Sequence, residues 1–227
     1  SEGGGFAEAL DLTEKTRSLM REVLGERHPR TLVSMRSLAV VYRQVGRNEE
    51  AGALLEETLD LMREVLGERH PSTLISMNNR ALAYRLAGRY EEAGKLYDET
   101  IEFLQDPSAE TKKAPDTITK EYANVLAGAA ETSLQLKQPE KAESLSRESL
   151  KLRERLTPEH WSRFHAQSLV GAALLQQAKA DEAEPFLLDG FAGMQAREKT
   201  MPARERVRLR EAACQALVDL YQSQENA

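Results

Sequence analysis

A single cysteine, Cys214, stands among 227 residues. This excludes an internal disulfide and a cysteine-built zinc site, and the natural expectation for such a residue is a small packed side chain. The net charge is −6, with no polybasic run and no basic stripe carrying interleaved aromatics, which argues against nucleic acid as a partner. No apolar run approaches the ~18 residues of a membrane span, and no signal peptide opens the chain. The first residue is Ser1 rather than methionine, and Gly3-Gly4-Gly5 follows. The expectation is a piece of a longer, cytoplasmic protein.

Catalytic constellations are also missing. There is no nucleophile elbow, no metalloprotease helix and no strand-borne glycine-rich loop for phosphates. His28 and His70 come from equivalent turns, and no cysteine or carboxylate cluster completes a metal site around them. His160 and His165 lie five residues apart, on different faces of a helix. The expected result is a non-enzyme with no cofactor and no metal.

What the chain does have is a copy of itself. Residues 20–32 read MREVLGERHPRTL and residues 62–74 read MREVLGERHPSTL, an offset of 42. Repetition at this period marks an array of structural units that bury their apolar faces against neighbours. Alanine, leucine and glutamate are abundant and 30% of residues are charged, a composition suited to helices.

Within each period the apolar residues recur at three and four, as an amphipathic helix requires. The first full unit covers residues 29–67. Leu32, Met35, Leu38, Ala39, Tyr42 and Val45 line its first helix, and Gly46 ends it. Asn48 is expected to cap the second helix, which carries Ala51, Leu54, Leu55, Leu59, Leu61, Met62 and Leu66. His28-Pro29 and His70-Pro71 open successive first helices, where proline costs nothing. Tyr84, Gly88, Ala93 and Ile101 repeat Tyr42, Gly46, Ala51 and Leu59. Residues 5–25 match a second helix. After Gln105 the period slips: residues 106–116 read as an irregular loop, and the motif resumes at Lys137 and again at Ala178. With B for a second helix, the order is B-AB-AB-AB-AB-A, an all-α α-solenoid of about ten antiparallel helices in a single domain over residues 1–227.

LGERHPRTL (24–32), SLAVVYRQVGRNEEA (37–51), LGERHPSTL (66–74) and ALAYRLAGRYEEA (81–93) resemble the tetratricopeptide repeat, in the 42-residue form found in kinesin light chains and many bacterial multi-repeat proteins. Residues 158–191 resemble the closing repeats of such regions in bacterial serine/threonine kinases, although the chain holds no kinase motif. The resemblance implies a right-handed superhelix with first helices on the concave face, and extended peptides or partner helices as ligands. It also implies a groove. Projected onto the repeat, Arg36, Arg43, Gln44, Asn78, Asn79, Arg85, Asn124, Glu131 and His165 fall on or near the concave side. In related repeats asparagines of the first helix bond a peptide backbone, and Asn78 and Asn79 stand at matching positions. Three arginines in consecutive units favour a peptide of acidic character, because the guanidinium holds carboxylates in bidentate geometry.

Three departures stand out. Arg80 replaces Leu38 at a position the repeat buries, so it must pair with a carboxylate, reach water or sit where packing is open. Gly52 and Gly94 lie mid-helix and are expected to permit close backbone approach. Ser133 replaces the tyrosine of Tyr42 and Tyr84 and weakens the third unit. At the ends, an unpaired B and an unpaired A are complementary, and Leu217, Leu220 and Tyr221 are expected to meet Phe6 or Leu10 of another copy, head to tail. The expected function is a non-catalytic protein-interaction scaffold. The alternative is a regulatory or sensor region of a bacterial signalling protein such as a serine/threonine kinase.

Overall fold

The computed structural model describes residues 2–105 and 116–225. The expected loop over 106–116 lies almost wholly outside the described residues. Those residues form ten α-helices and no strand. In chain order they are α1 (Glu2–Leu24), α2 (Pro29–Gln44), α3 (Asn48–Leu66), α4 (Pro71–Leu86), α5 (Tyr90–Gln105), α6 (Asp116–Gln135), α7 (Pro139–Leu156), α8 (Trp161–Gln176), α9 (Ala180–Ala196) and α10 (Ala203–Glu225). The sequence phase B-AB-AB-AB-AB-A maps onto them one to one.

Histidine starts three of the first helices. His28, His70 and His160 are extended residues at the N-caps of α2, α4 and α8. Their Nδ1 atoms accept from the backbone N–H groups of Arg30 (3.2 Å), Ser72 (3.1 Å) and Ser162 (3.3 Å). Each thereby satisfies a donor that the helix itself cannot. The turns between first and second helices use a left-handed residue at one repeat position. Gly46 (φ 89°) and Gly88 (φ 76°) hold it early in the chain, and Lys137 (φ 57°) and Ala178 (φ 59°) hold it later. The two non-glycine residues carry local strain that glycine would not.

The chain divides into two compact units, Ser1–Lys113 and Ala114–Ala227. In the first, Leu32, Met35, Leu38 and Ala39 of α2 pack with Leu54, Leu55 and Met62 of α3, and Leu10 of α1 closes the cluster. Each leucine so buried contributes about 1.5–3 kcal/mol. In the second, α8 runs between α7 and α9 and buries Phe164, Leu169, Val170, Ala173 and Leu174. Helices α8 and α9 approach closely enough that a Cβ on Gly190 would lie 2.8 Å from the Ser168 backbone nitrogen.

Within each unit, consecutive helices pack against one another. Adjacent first helices also touch, α2 with α4, α6 with α8 and α8 with α10, whereas second helices do not approach each other to the same extent. Within each unit the first-helix face is therefore the inner one.

Three expectations need correction. Asn48 is the first residue of α3 and not its cap; Arg47 holds the cap position without a side-chain cap bond. The Arg47 guanidinium is instead stacked over Tyr42 at 4.3 Å and paired with Glu50 at 2.8 Å. Gly52 permits no close approach, since a Cβ there would meet nothing within 4 Å. Cys214 is exposed, because α10 buries Leu209, Ala213 and Leu220, and the residue after Ala213 turns away from that face.

Candidate functional site

On the inner face of the first unit, the proposed groove residues differ in their freedom. Arg36 is half-buried on α2, and its Nη1 donates to the Ser72 carbonyl of α4 at 3.4 Å, bridging the two first helices. Arg43 and Arg85 are half-buried one repeat apart, and Gln44 is exposed at the end of α2. Asn78 is buried. Asn79, 100° further round α4, is half-buried, and its amide makes no hydrogen bond to another described residue. Asn79 therefore keeps two donors and an acceptor for a ligand. A separate hollow of about 390 Å³ lies between α1 and the first half of α2, lined by Met20, Pro29, Val33 and Ser34 among others. None of the proposed groove residues lines it.

Arg80 resolves the leucine-to-arginine departure by pairing. Its Nη2 donates to Glu56 Oε1 at 2.6 Å and to the Tyr84 hydroxyl at 2.8 Å, and its Nε reaches the same hydroxyl at 3.1 Å. The aliphatic stem takes the leucine's place while the head meets a carboxylate at the rim. Tyr84 is also covered by Arg89, stacked at 4.3 Å as Arg47 is over Tyr42. Ser133, buried at 3% exposure, cannot make such a stack.

In the second unit, Glu131 and His165 are committed to each other. Glu131 of α6 lies 3.3 Å from His165 Nε2 of α8 through one oxygen, and accepts from Arg208 Nη1 of α10 at 2.6 Å through the other. Burial alone would lower the Arg208 pKa, but the Glu131 and Glu205 carboxylates outweigh it and raise it. This carboxylate ties three first helices together, so both residues serve the scaffold. Asn124 is exposed; its Nδ2 donates to Glu121 at 3.1 Å and its Oδ1 accepts from Arg153 Nη2 at 2.9 Å.

Arg153 was not among the residues singled out by sequence. It sits on α7 in the repeat position occupied by Met62 and Met194, which are 0% and 1% exposed. The mismatch with its copies was the available signal. Among the described residues, no group of three or more His, Cys, Asp or Glu could hold a metal ion, and no helix is long and apolar enough to cross a membrane.

Residues 3–51 and 36–106 match the tetratricopeptide repeat family model. No curated protein sequence matches the chain. Among solved structures, a Podosopora anserina protein of nearly identical TPR-like repeats, described as a kinesin light chain, is 26% identical; the match covers 89% of this chain and 92% of that one, with a TM-score of 0.67. BtubC (BKLC) from P. vanneervenii is 19% identical over 97% of this chain and 85% of its own, with a TM-score of 0.64. YrrB, a TPR protein with an unusual peptide-binding site, is 14% identical over 92% and 91%, with a TM-score of 0.53. With its repeat phase, helix order and histidine-started first helices, this chain carries tetratricopeptide repeats over residues 3–106 and has a fold like that of kinesin-light-chain-like TPR repeats.

Proposed function

We propose that the chain is a non-catalytic scaffold that holds an extended peptide or a partner helix along the inner face of its first unit, and that the peptide is acidic. The observation that carries this reading is the half-buried Asn79 amide, which makes no hydrogen bond to another described residue and shares α4 with Arg85. A peptide backbone offers the donors and acceptors that such an amide lacks. Arg43 and Arg85, one repeat apart, supply positive charge along the same face for carboxylates. Selection of a random peptide library on the whole chain tests the reading. It predicts enrichment of peptides rich in Asp and Glu. Enrichment of basic peptides, or none at all, would count against it.

Head-to-tail self-association is a second mode of binding, and the exposed apolar residues favour it. Leu220 is fully buried in its own unit, Leu217 packs beside it and Leu10 packs on the first core, so these do not serve an interface. Leu12 (65% exposed), Leu19 (60%) and Val23 (68%) on α1, with Val207 (58%), Val218 (46%) and Tyr221 (44%) on α10, remain available. Such a contact joins different surfaces and need not close. Light scattering at rising concentration predicts a growing mass; a constant monomer mass would exclude it.

A further inference from the structure

The second unit buries a positive charge that no carboxylate among the described residues pairs with. Arg153 is 8% exposed. Its Nε donates to Ser149 Oγ at 3.3 Å, and its Nη2 to the Ala123 carbonyl at 3.2 Å and to Asn124 Oδ1 at 2.9 Å. Its Nη1 donates to Ser162 Oγ. All four acceptors are uncharged, and among the described residues no carboxylate lies within ion-pair distance. Desolvation pushes its pKa down to about 10, with only the more distant Glu121 opposing, so the group is still a cation at neutral pH. Of five guanidinium N–H donors, one on Nη1 meets no acceptor among the described residues.

A buried guanidinium without a counter-ion is costly, and its copies in the array show that the fold does not need it. Met62 and Met194 fill the same position with ordinary apolar packing. The charge must therefore be accounted for by something other than the scaffold.

Beside Arg153 lies a cavity of about 310 Å³, lined also by Lys120, Asn124, His160 and Ser162. It opens at the start of α8, where backbone N–H groups and the helix dipole add positive potential. The Ser162 hydroxyl accepts from Arg153 and lies 2.8 Å from His160 Nδ1. Because that nitrogen accepts from the Ser162 backbone N–H, the neutral ring carries its proton on Nε2. The cavity is thus lined by an arginine, a lysine, a histidine and an asparagine, with Glu121 beyond Asn124 as the nearby negative group.

We propose that this cavity is an oxyanion-binding site in which Arg153, assisted by Lys120 and His160, holds a phosphate or carboxylate group of a ligand. The site is independent of the inner-face peptide reading. It lies in the other unit, at the junction of α6, α7 and α8, and none of the first unit's arginines contributes to it. The array has replaced a core methionine with a charged anchor in one repeat only, which is how a repetitive scaffold acquires a specific site.

The test is calorimetric titration of the whole chain with inorganic phosphate and with acetate, against sodium chloride at matched ionic strength, with the His160 ring followed by NMR. The wild type is expected to bind one of the two probes saturably, and the His160 resonances are expected to move with occupancy. The tighter probe identifies the group. Arg153→Met restores the residue found at this position in α1, α3 and α9 and should fold; its affinity is expected to fall about tenfold or more, the worth of a charged hydrogen bond. Lys120→Ala should weaken binding several-fold while leaving the melting temperature unchanged. Wild-type affinity in the folded Arg153→Met variant, or no response beyond the chloride control in the wild type, would overturn the proposal.

Discussion

Arg208 and Glu131 lie 77 residues apart, yet Nη1 of one and Oε2 of the other meet at 2.6 Å. The pair spans from α10 to α6, and His165 of the intervening α8 contacts the second carboxylate oxygen. Glu131 is 13% exposed, so loss of Arg208 leaves a largely buried carboxylate without this ion pair. Arg208→Met is expected to cost about 1–3 kcal/mol, below the full value for a buried pair because Arg208 is itself one-third exposed. Urea denaturation of the whole chain measures it. A midpoint equal to that of the wild type would show that the pair does not hold the unit.

Two glycines inside helices should respond to alanine with opposite sign. Gly190 of α9 faces the backbone of α8, where a Cβ would lie 2.8 Å from the Ser168 nitrogen and 2.9 Å from the Phe164 carbonyl. Backbone cannot rotate aside, and Gly190→Ala should destabilise by about 1–3 kcal/mol. Gly52 has open space, so Gly52→Ala should stabilise by up to about 1 kcal/mol through helix propensity alone. Thermal melts of the two variants should therefore move in opposite directions. A shift of the same sign would refute the packing described for α8 and α9.

His160 gives the fold a pH dependence of defined sign. Desolvation first, then the positive charges of Arg153 and Lys120, hold its pKa below the ordinary value. The folded state therefore prefers the neutral ring, whose Nδ1 caps α8. That stability is fully present above the unfolded pKa of about 6.5 and is lost as pH falls below it through the folded value. NMR titration should place the His160 midpoint below 6.5, and Arg153→Met should raise it. A midpoint that does not move in the variant would contradict the electrostatic coupling.

The architecture was readable because the copy at residues 62–74 supplies its own alignment. Once Met20 is paired with Met62, glycine, proline and the apolar rows fall into phase, and the ten helices follow from short-range periodicity. What escaped depends on partners from other helices. Nothing near Glu131 in sequence points to Arg208. The fate of Arg80 depended on Glu56 lying opposite it on α3. Arg153 was legible in principle as the charged member of the series Met20, Met62, Leu104 and Met194, but only after the register is carried across the period slip that follows Gln105. Cys214 misled because a single-residue preference for burial says nothing about which face of α10 turns inward.

Recognition through the inner face of the first unit is the central claim, and reversal of its charge tests it most directly. The measurement is the fluorescence anisotropy of a library-selected acidic peptide with the wild-type chain and with the Arg43→Glu, Arg85→Glu double variant. Circular dichroism would establish that the variant stays helical. The account predicts an affinity loss of about a hundredfold or more, since two charge-assisted contacts become repulsions. Unchanged affinity in a folded double variant would contradict it.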